Sequence, residues 1–355
     1  METQDTLCAR SYDGAWMTDI DDTIVESGES PGDDWIEWLA SKIRILKKHR
    51  IAWIPMSGVA IAKLGPRIIY RLPKDVLSHV LYYGGDGSQK YYYDTAAGSW
   101  KEDLSYRRVF TDAQTVAVIG TEEFVTFLTT NPAGKLSSSD AAARCDAALR
   151  KLDAGGFSSS AGSFLDEMKV ILGQRGFDPA VSETYFRGGS VSWMMLGDTS
   201  VDPYKTDHAV KVRMELIAYA ERRLEEEGHL KRFGNEGIII PFHGSRGIKF
   251  VMRKNDKERG TRDLIEHSRI PASSILFAGN ELFDGGNDNM IRNIEGVTLL
   301  SVGEHTDPGP DVVFGGIGIQ ANNSWMEHVC AALEAGTPWS EVLAHIRNHN
   351  KESNR

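Results

Sequence analysis

Cysteine is scarce. The 355 residues hold three, Cys8, Cys145 and Cys330, far apart and without a CxxC pair or a Cys/His cluster. That argues against a disulfide framework and a thiolate zinc site, and a reducing compartment is the expectation. Long apolar runs are missing as well. None reaches the ~20 residues that a membrane helix needs. The opening stretch METQDTLCARSYDG lacks the charged-then-apolar order of a signal segment, so a cytoplasmic location with no membrane partner is expected. Positive charge is in deficit: 40 Lys and Arg against 50 Asp and Glu give a formal charge of −10, which argues against nucleic acid as a partner. The 10 histidines include no HExxH pair, and Gly84-Gly85-Asp86-Gly87 lacks the spacing of a dinucleotide-binding loop.

What remains is an ordinary globular composition, 41% hydrophobic and 25% charged. Its length suggests two domains at roughly 150 residues each. The first third alternates between strand and helix periods. Ala15–Thr18, Ile51–Pro55 and Val80–Tyr83 read as buried strands. A helix is expected over Pro31–Arg50, with Trp35, Trp38, Leu39, Ile43 and Leu46 at helical spacing, and a shorter one over Ala60–Tyr70. That order predicts a parallel sheet. The middle third is mixed: Tyr91–Tyr93, Val116–Ile119 and Val191–Leu196 read as strands, and Ser139–Asp153 and Asp207–Glu227 as helices. The last third resumes the first rhythm, with a helix over Asp256–His267, a strand at Ile275–Ala278 and an acidic, glycine-rich loop over Gly279–Met290. The expected architecture is therefore α/β, a Rossmann-like parallel-sheet core of residues 1–88 and 247–355, with an α+β insert at 89–246.

Three expected strands end in polar loops: Asp19–Thr23, Ser57-Gly58 and Gly279–Asp288. In an open α/β sheet, ligands bind beyond the carboxyl ends of the strands. The first loop, in AWMTDIDDTIVESG, places Asp19, Asp21 and Asp22 at the tip of a buried strand, where repulsion and desolvation both oppose them. A divalent cation and a phosphate at that rim would offset the cost. On an extended backbone, Asp19 and Asp21 would face one side and Ile20 the other.

Asp19-Ile20-Asp21-Asp22-Thr23 resembles the first motif, D-x-D-x-[TV], of the haloacid dehalogenase-like phosphotransferases. The resemblance implies Asp19 as nucleophile, forming an aspartyl phosphate, and Asp21 as general acid and then general base. Met56-Ser57-Gly58 resembles the second motif, whose hydroxyl binds a phosphoryl oxygen. Asp256-Lys257 resembles the third, with Lys257 balancing phosphate charge; Arg259 is a second cation on the same expected helix. FAGNELFDGGNDNM resembles the fourth, closest to the G-D-x-T-x-x-G-G-N-D spacing of eukaryotic-type phosphomannomutases and related sugar phosphatases. By that resemblance Mg²⁺ is held by Asp19, the Asp21 carbonyl, Asn280 and Asp288, with Asn287, Glu281 and Asp284 as further oxygen donors nearby. The chain departs from the pattern at Val59, where related enzymes often have Arg, and at Asn280, where they have Asp.

The motif order matches the subgroup whose cap is inserted between the second and third motifs. Such caps close over the substrate. Thr23, Gly58 and Gly85 are expected around the phosphate, and Arg187, Ser190 and Ser192 of FRGGSVSW as cap contacts to a distal phosphate or sugar hydroxyls. The function implied is a Mg²⁺-dependent phosphatase acting on a small phosphorylated metabolite, most simply a sugar phosphate. A sugar phosphomutase and a non-catalytic binding homologue are the alternatives. The oligomeric state stays open, a homodimer among the options.

Overall fold

The computed structural model describes residues 12–130, 135–154, 163–186, 189–197, 199, 202–226, 238–239, 247–284 and 286–353. In chain order its strands are β1 Gly14–Asp19, β2 Ile51–Met56, β3 Leu81–Gly84, β4 Gln89–Asp94, β5 Ser99–Glu102, β6 Glu183–Phe186, β7 Ser190–Met194, β8 Ile238–Ile239, β9 Ile248–Met252, β10 Ile275–Gly279, β11 Thr298–Ser301 and β12 Val312–Phe314. The chain forms two compact units. One takes residues up to Arg107 and from Asn255 onward; the other spans Arg108–Lys254.

The first unit holds an eight-stranded sheet in the order β12-β11-β10-β1-β2-β3-β4-β5. The six strands from β12 to β3 pair in parallel, and β4 and β5 extend the sheet antiparallel. Helix-covered parallel strands are apolar on both faces, and every residue of β1, β2 and β10 is buried. Side chains alternate across the sheet. Trp16 and Trp53, register partners, enter one core layer with Ile20 and Leu276, while Ala15, Met17, Ile54, Met56 and Phe277 enter the other. Fully burying one such large side chain contributes about 1.5–3 kcal/mol. The helix Asp33–Lys48 closes one face with Ile36, Leu39, Ala40, Ile43 and Leu46, and matches its dipole with Asp33 and Asp34 at the start and Lys47 and Lys48 at the end.

Strand order reverses at β1, which has β2 on one side and β10 on the other. The carboxyl ends at such a reversal are where α/β sheets bind ligands. The register brings those ends level: Asp19 lies opposite Met56, and Thr18 opposite Ala278.

The insert starts and ends later than the expected 89–246. Strands β4 and β5 form a meander on β3, so residues 89–102 belong to the core sheet, and the second unit runs from Arg108 to Lys254. Composition shifts do not reveal this, because an edge meander and an inserted unit are both mixed in polarity.

The second unit pairs β6-β7-β9-β8, all antiparallel, with helices Asp112–Thr130, Ser138–Ala154, Phe164–Gln174 and Asp207–Glu226. Val116–Ile119, expected as a strand from its β-branched run, is helical. Thr111 and Gln114 form a reciprocal capping box: the Thr111 hydroxyl accepts the Gln114 N–H at 3.2 Å, and the Gln114 amide oxygen accepts the Thr111 N–H at 2.8 Å. The helix then buries Val116, Ile119, Phe124 and Leu128, and breaks once, at Gly120 (φ 83°). The expected helix over Ala60–Tyr70 is also shorter, covering Ile61–Leu64 and a 3₁₀ turn at Ile69–Arg71. Pro66 supplies no N–H to carry the ladder through.

Candidate active site

The three carboxylates at the end of β1 go to three different environments. The extended backbone stops at Asp19. Ile20 O then accepts the N–H groups of Thr23 (3.3 Å), Ile24 (3.0 Å) and Val25 (3.2 Å), which folds residues 20–25 into a tight turn with Asp22 at φ 60°. Strand alternation therefore does not reach Asp21, contrary to expectation. Asp19 turns inward and is buried. The half-buried Asp21 meets Arg67 Nη1 through Oδ1 at 2.9 Å. Asp22 points outward and accepts the Ser27 N–H (2.9 Å) and hydroxyl (2.8 Å).

Lys257 is the centre of the inward group. Its ammonium donates to Asp19 Oδ1 at 2.5 Å, across 238 residues of sequence, and also to Asp288 Oδ1. Lys257 is 2% exposed and Asp288 fully buried. The other Asp288 oxygen accepts the Glu281 N–H at 2.9 Å. Two carboxylates thus share one ammonium in a dry site. Burial and the Asp288 charge push the Asp19 carboxyl up to about 8, against the lowering effect of Lys257. Burial alone would lower Lys257, but its two carboxylate partners outweigh that and raise it.

The helix Lys257–Ser268 carries Lys257 at its first position, with Asp256 as N-cap accepting the Arg259 N–H at 2.9 Å. The turn at 84–87 fits against that cap. A Cβ on Gly87 (φ +73°) would lie 2.0 Å from Asp256 O, so only glycine permits this approach. Arg259 faces elsewhere: it stacks on Tyr106 at 3.8 Å and donates to Gly87 O (2.7 Å) and to Tyr106 O (2.5 Å). On the β10 side, a Cβ on Gly279 would come within 2.3 Å of Asp288 Oδ2, so the glycine leaves room for that carboxylate.

The other expected residues of this unit can be placed. Thr23 Oγ1 lies 3.4 Å from Asp19 Oδ2 and 3.3 Å from Asn280 Oδ1, linking the turn after β1 to the loop after β10. Ser57 is buried where β2 ends. Its N–H donates to Tyr83 O (3.0 Å), and its hydroxyl accepts the Val59 N–H (3.1 Å). Gly58 follows it, and Gly85 (φ 57°) donates its N–H to Val59 O at 3.3 Å. Asp284 stands apart, its side chain 98% exposed near Arg292. Ser190 and Ser192 are buried on β7 of the second unit. Arg187 lies outside the described residues.

Arg67 was not singled out by sequence reasoning, since a lone Arg after a Gly-Pro pair carries no motif. The same holds for Asp263 of the Lys257 helix, which accepts from the Tyr83 hydroxyl at 2.6 Å and pairs with Lys90 at 3.0 Å.

Among the described residues, no three His, Cys, Asp or Glu side chains form a metal cage. Mg²⁺ does not need one: it takes one or two carboxylates plus water and neutral oxygens. Asp19 and Asp288 supply two carboxylates with one shared counter-charge. The Asn287 amide oxygen is buried without a hydrogen-bond partner among the described residues. The donor set fits a hard, oxygen-liganded cation.

The fold is shared with known proteins. A C-terminally truncated IMP-nucleotidase of Plasmodium falciparum superposes with TM-score 0.50 at 11% identity, over 96% of this chain and 74% of that one. An IMP-bound form of that enzyme, truncated at its N-terminus, gives TM-score 0.48 at 12% identity over 81% of this chain, which spans only 64% of that structure's length. The sucrose-phosphatase of Synechocystis sp., solved with sucrose and phosphate, gives 0.41 at 11% identity, over 82% and 83% of the two chains. No protein-family model matches the chain. No curated protein matches it by sequence. The likeness establishes the haloacid dehalogenase-like fold, a Rossmann-type sheet core with an inserted unit.

Proposed function

We infer that the chain is a Mg²⁺-dependent phosphatase that hydrolyses a small phosphorylated metabolite through an aspartyl phosphate on Asp19. The observation that carries this reading is the buried Asp19–Lys257–Asp288 cluster, gathered from three separate segments to the strand ends where the sheet order reverses. Burying two carboxylates against one ammonium is unfavourable for stability alone. It suits a site that receives further positive charge and a phosphoryl group.

In this reading an Asp19 carboxylate oxygen attacks phosphorus, while Asp21 gives a proton to the departing oxygen. Asp21 then takes a proton from the water that attacks the aspartyl phosphate, releasing inorganic phosphate and Asp19. Lys257 holds Asp19 in place and offsets phosphoryl charge. In this reading the Ser57 hydroxyl binds a phosphoryl oxygen, at the end of β2 beside Gly58 and the turn at Gly85. Asp19, the Asp21 carbonyl, Asp288 and Asn280 would hold Mg²⁺, which neutralises charge on the transferred group. The resemblance of Gly279–Asp288 to the fourth motif of sugar phosphatases favours a sugar phosphate; the fold shared with an IMP-nucleotidase adds nucleoside monophosphates to the panel worth assaying.

Phosphate release from sugar phosphates, IMP and p-nitrophenyl phosphate, with Mg²⁺ and with EDTA, tests the reading. Turnover should require Mg²⁺, and Asp19→Asn should lower it by at least about 10³-fold. Unchanged turnover in Asp19→Asn would overturn the proposal.

A further inference from the structure

Arg67 is a half-buried arginine whose three guanidinium nitrogens all contact one segment. Nη1 donates to Asp21 Oδ1 at 2.9 Å, Nε to Glu29 O at 2.7 Å and Nη2 to Glu26 O at 3.1 Å. The Arg67 and Asp21 side chains are 12% and 23% exposed. The segment held this way, residues 21–29, is the turn and loop that follow β1. Arg67 itself stands where Pro66 interrupts the helix expected over 60–70, so its side chain leaves a rigid, irregular stretch between Ile61–Leu64 and Ile69–Arg71. One turn on, Arg71 fixes the far end of the same loop, donating to Pro31 O at 2.6 Å and to Asp33 at 2.6 Å.

Asp21 has no strand to orient it, because β1 ends two residues earlier. Among the described residues, Arg67 is the side chain that meets its carboxylate, and it takes Oδ1 alone. Oδ2 is left without a partner there. The guanidinium is planar and its Nε and Nη2 are held by Glu29 O and Glu26 O, so Nη1 is presented from a fixed place and restrains the Asp21 carboxylate through Oδ1.

We propose that Arg67 is a positioning residue for proton transfer: it clamps Asp21 through Oδ1 and anchors the loop backbone, so that Oδ2 is aimed at the departing oxygen of the substrate. This rests on the phosphatase reading above. The step balances as follows. The bond from Asp19 oxygen to phosphorus forms, the bond from phosphorus to the leaving oxygen breaks, and the proton on Asp21 moves to that oxygen, leaving Asp21 as carboxylate. The second half-reaction returns a proton from water to Asp21. A leaving group that departs readily as its anion needs this proton less than a poor one does.

The test compares kcat/KM for p-nitrophenyl phosphate and phenyl phosphate with Mg²⁺, in wild type, Asp21→Asn, Arg67→Ala and Arg67→Lys. The ratio of the two values does not depend on how much enzyme is folded, so a purely structural role would leave it unmoved. Arg67→Ala should raise the ratio by about tenfold or more, in the direction set by Asp21→Asn, and the double variant should add little to Asp21→Asn alone. Arg67→Lys keeps the charge but lacks the fork; it should raise the ratio by a smaller factor and supplies the readout if Arg67→Ala does not fold. A ratio unchanged in both Arg67 variants of an active enzyme overturns the inference and leaves the phosphatase reading standing. A wild type that releases phosphate from neither ester, nor from any sugar phosphate or IMP, with Mg²⁺ overturns both.

Discussion

The core unit buries two lysines in similar settings. Lys257 sits between Asp19 and Asp288 with its ammonium 6.0 Å from the Phe277 ring; Lys90 sits between Asp263 (3.0 Å) and Asp103 (3.8 Å), 5.9 Å from the Tyr106 ring. They are 2% and 5% exposed. What differs is location. The Lys90 group joins β4, the Asp103 turn and the Lys257 helix, and Asp263 also accepts from Tyr83, so its groups are spent on holding elements together. The Lys257 group lies at the carboxyl ends of β1 and β10, where the strand order reverses. A buried lysine flanked by two carboxylates is thus not in itself a sign of chemistry; the proposed function rests on the Lys257 group lying at the strand ends where sheets of this kind bind ligands.

Replacing each lysine breaks the comparison cleanly. Lys257→Met should lower phosphate release by about 10²–10³-fold, read as kcat on the folded protein. Lys90→Met should do the reverse. Removing one partner of a buried ionic group costs about 3 kcal/mol or more, seen as a lower urea midpoint, while kcat stays within about threefold of wild type. Equal activity loss in both variants would erase the distinction drawn here.

The pH dependence of stability sharpens it. The folded Asp19 carboxyl is pushed up to about 8, by burial and by Asp288, against Lys257. The folded protein therefore keeps a proton that the unfolded chain releases near pH 4. More protons bound in the folded state means that stability falls as pH rises through that window, from about 4 to about 8. The raised Lys257 adds stability that is complete below the ordinary lysine range and is lost only in strong alkali. Urea unfolding across that window in EDTA should show the fall. Excess Mg²⁺ should flatten it, because a cation beside Asp19 favours the carboxylate. Lys90→Met should keep the slope, since its change lies outside the Asp19 cluster.

The smallest effect is expected at Asp284. It is acidic and lies in the fourth-motif loop, but its side chain is 98% exposed. Asp284→Ala should change stability by no more than about 0.5 kcal/mol and leave the Mg²⁺ concentration for half-maximal activity unmoved. A large rise in that concentration would bring Asp284 into the metal shell.

Much of the core was legible in the chain. Apolar runs at 15–18, 51–55 and 275–278 marked the central strands, because burial on both faces demands continuous hydrophobicity. The helix of Lys257 was legible as a charge-rich run over Asp256–His267; its Asp256 cap came with the structure. The run at 116–119 misled, because a short β-branched apolar stretch suits a strand or a buried helix equally; the capping box at Thr111 and Gln114 was the signal that decides. The edge meander β4–β5 was missed as part of the core sheet, since strand pairing is a long-range choice. Arg67 was illegible because its role comes from a turn that folds residues 20–25 back and an interrupted helix that presents the guanidinium.

Local sequence determined which groups are available: carboxylates at the end of an apolar strand, a hydroxyl at the end of the next, a lysine behind a helix cap, and an acidic glycine-rich loop. Those follow from hydrophobic period, capping and turn chemistry, which act over a few residues. The tertiary structure alone decided how the carboxylates divide, with Asp19 toward Lys257 and Asp288, Asp21 toward Arg67 and Asp22 toward solvent. It also decided which cation enters the cluster, Lys257 rather than Arg259. The physical reason is that a charge's partner in a dry site is set by which segments the sheet register brings level, and that register is fixed by packing across the whole core.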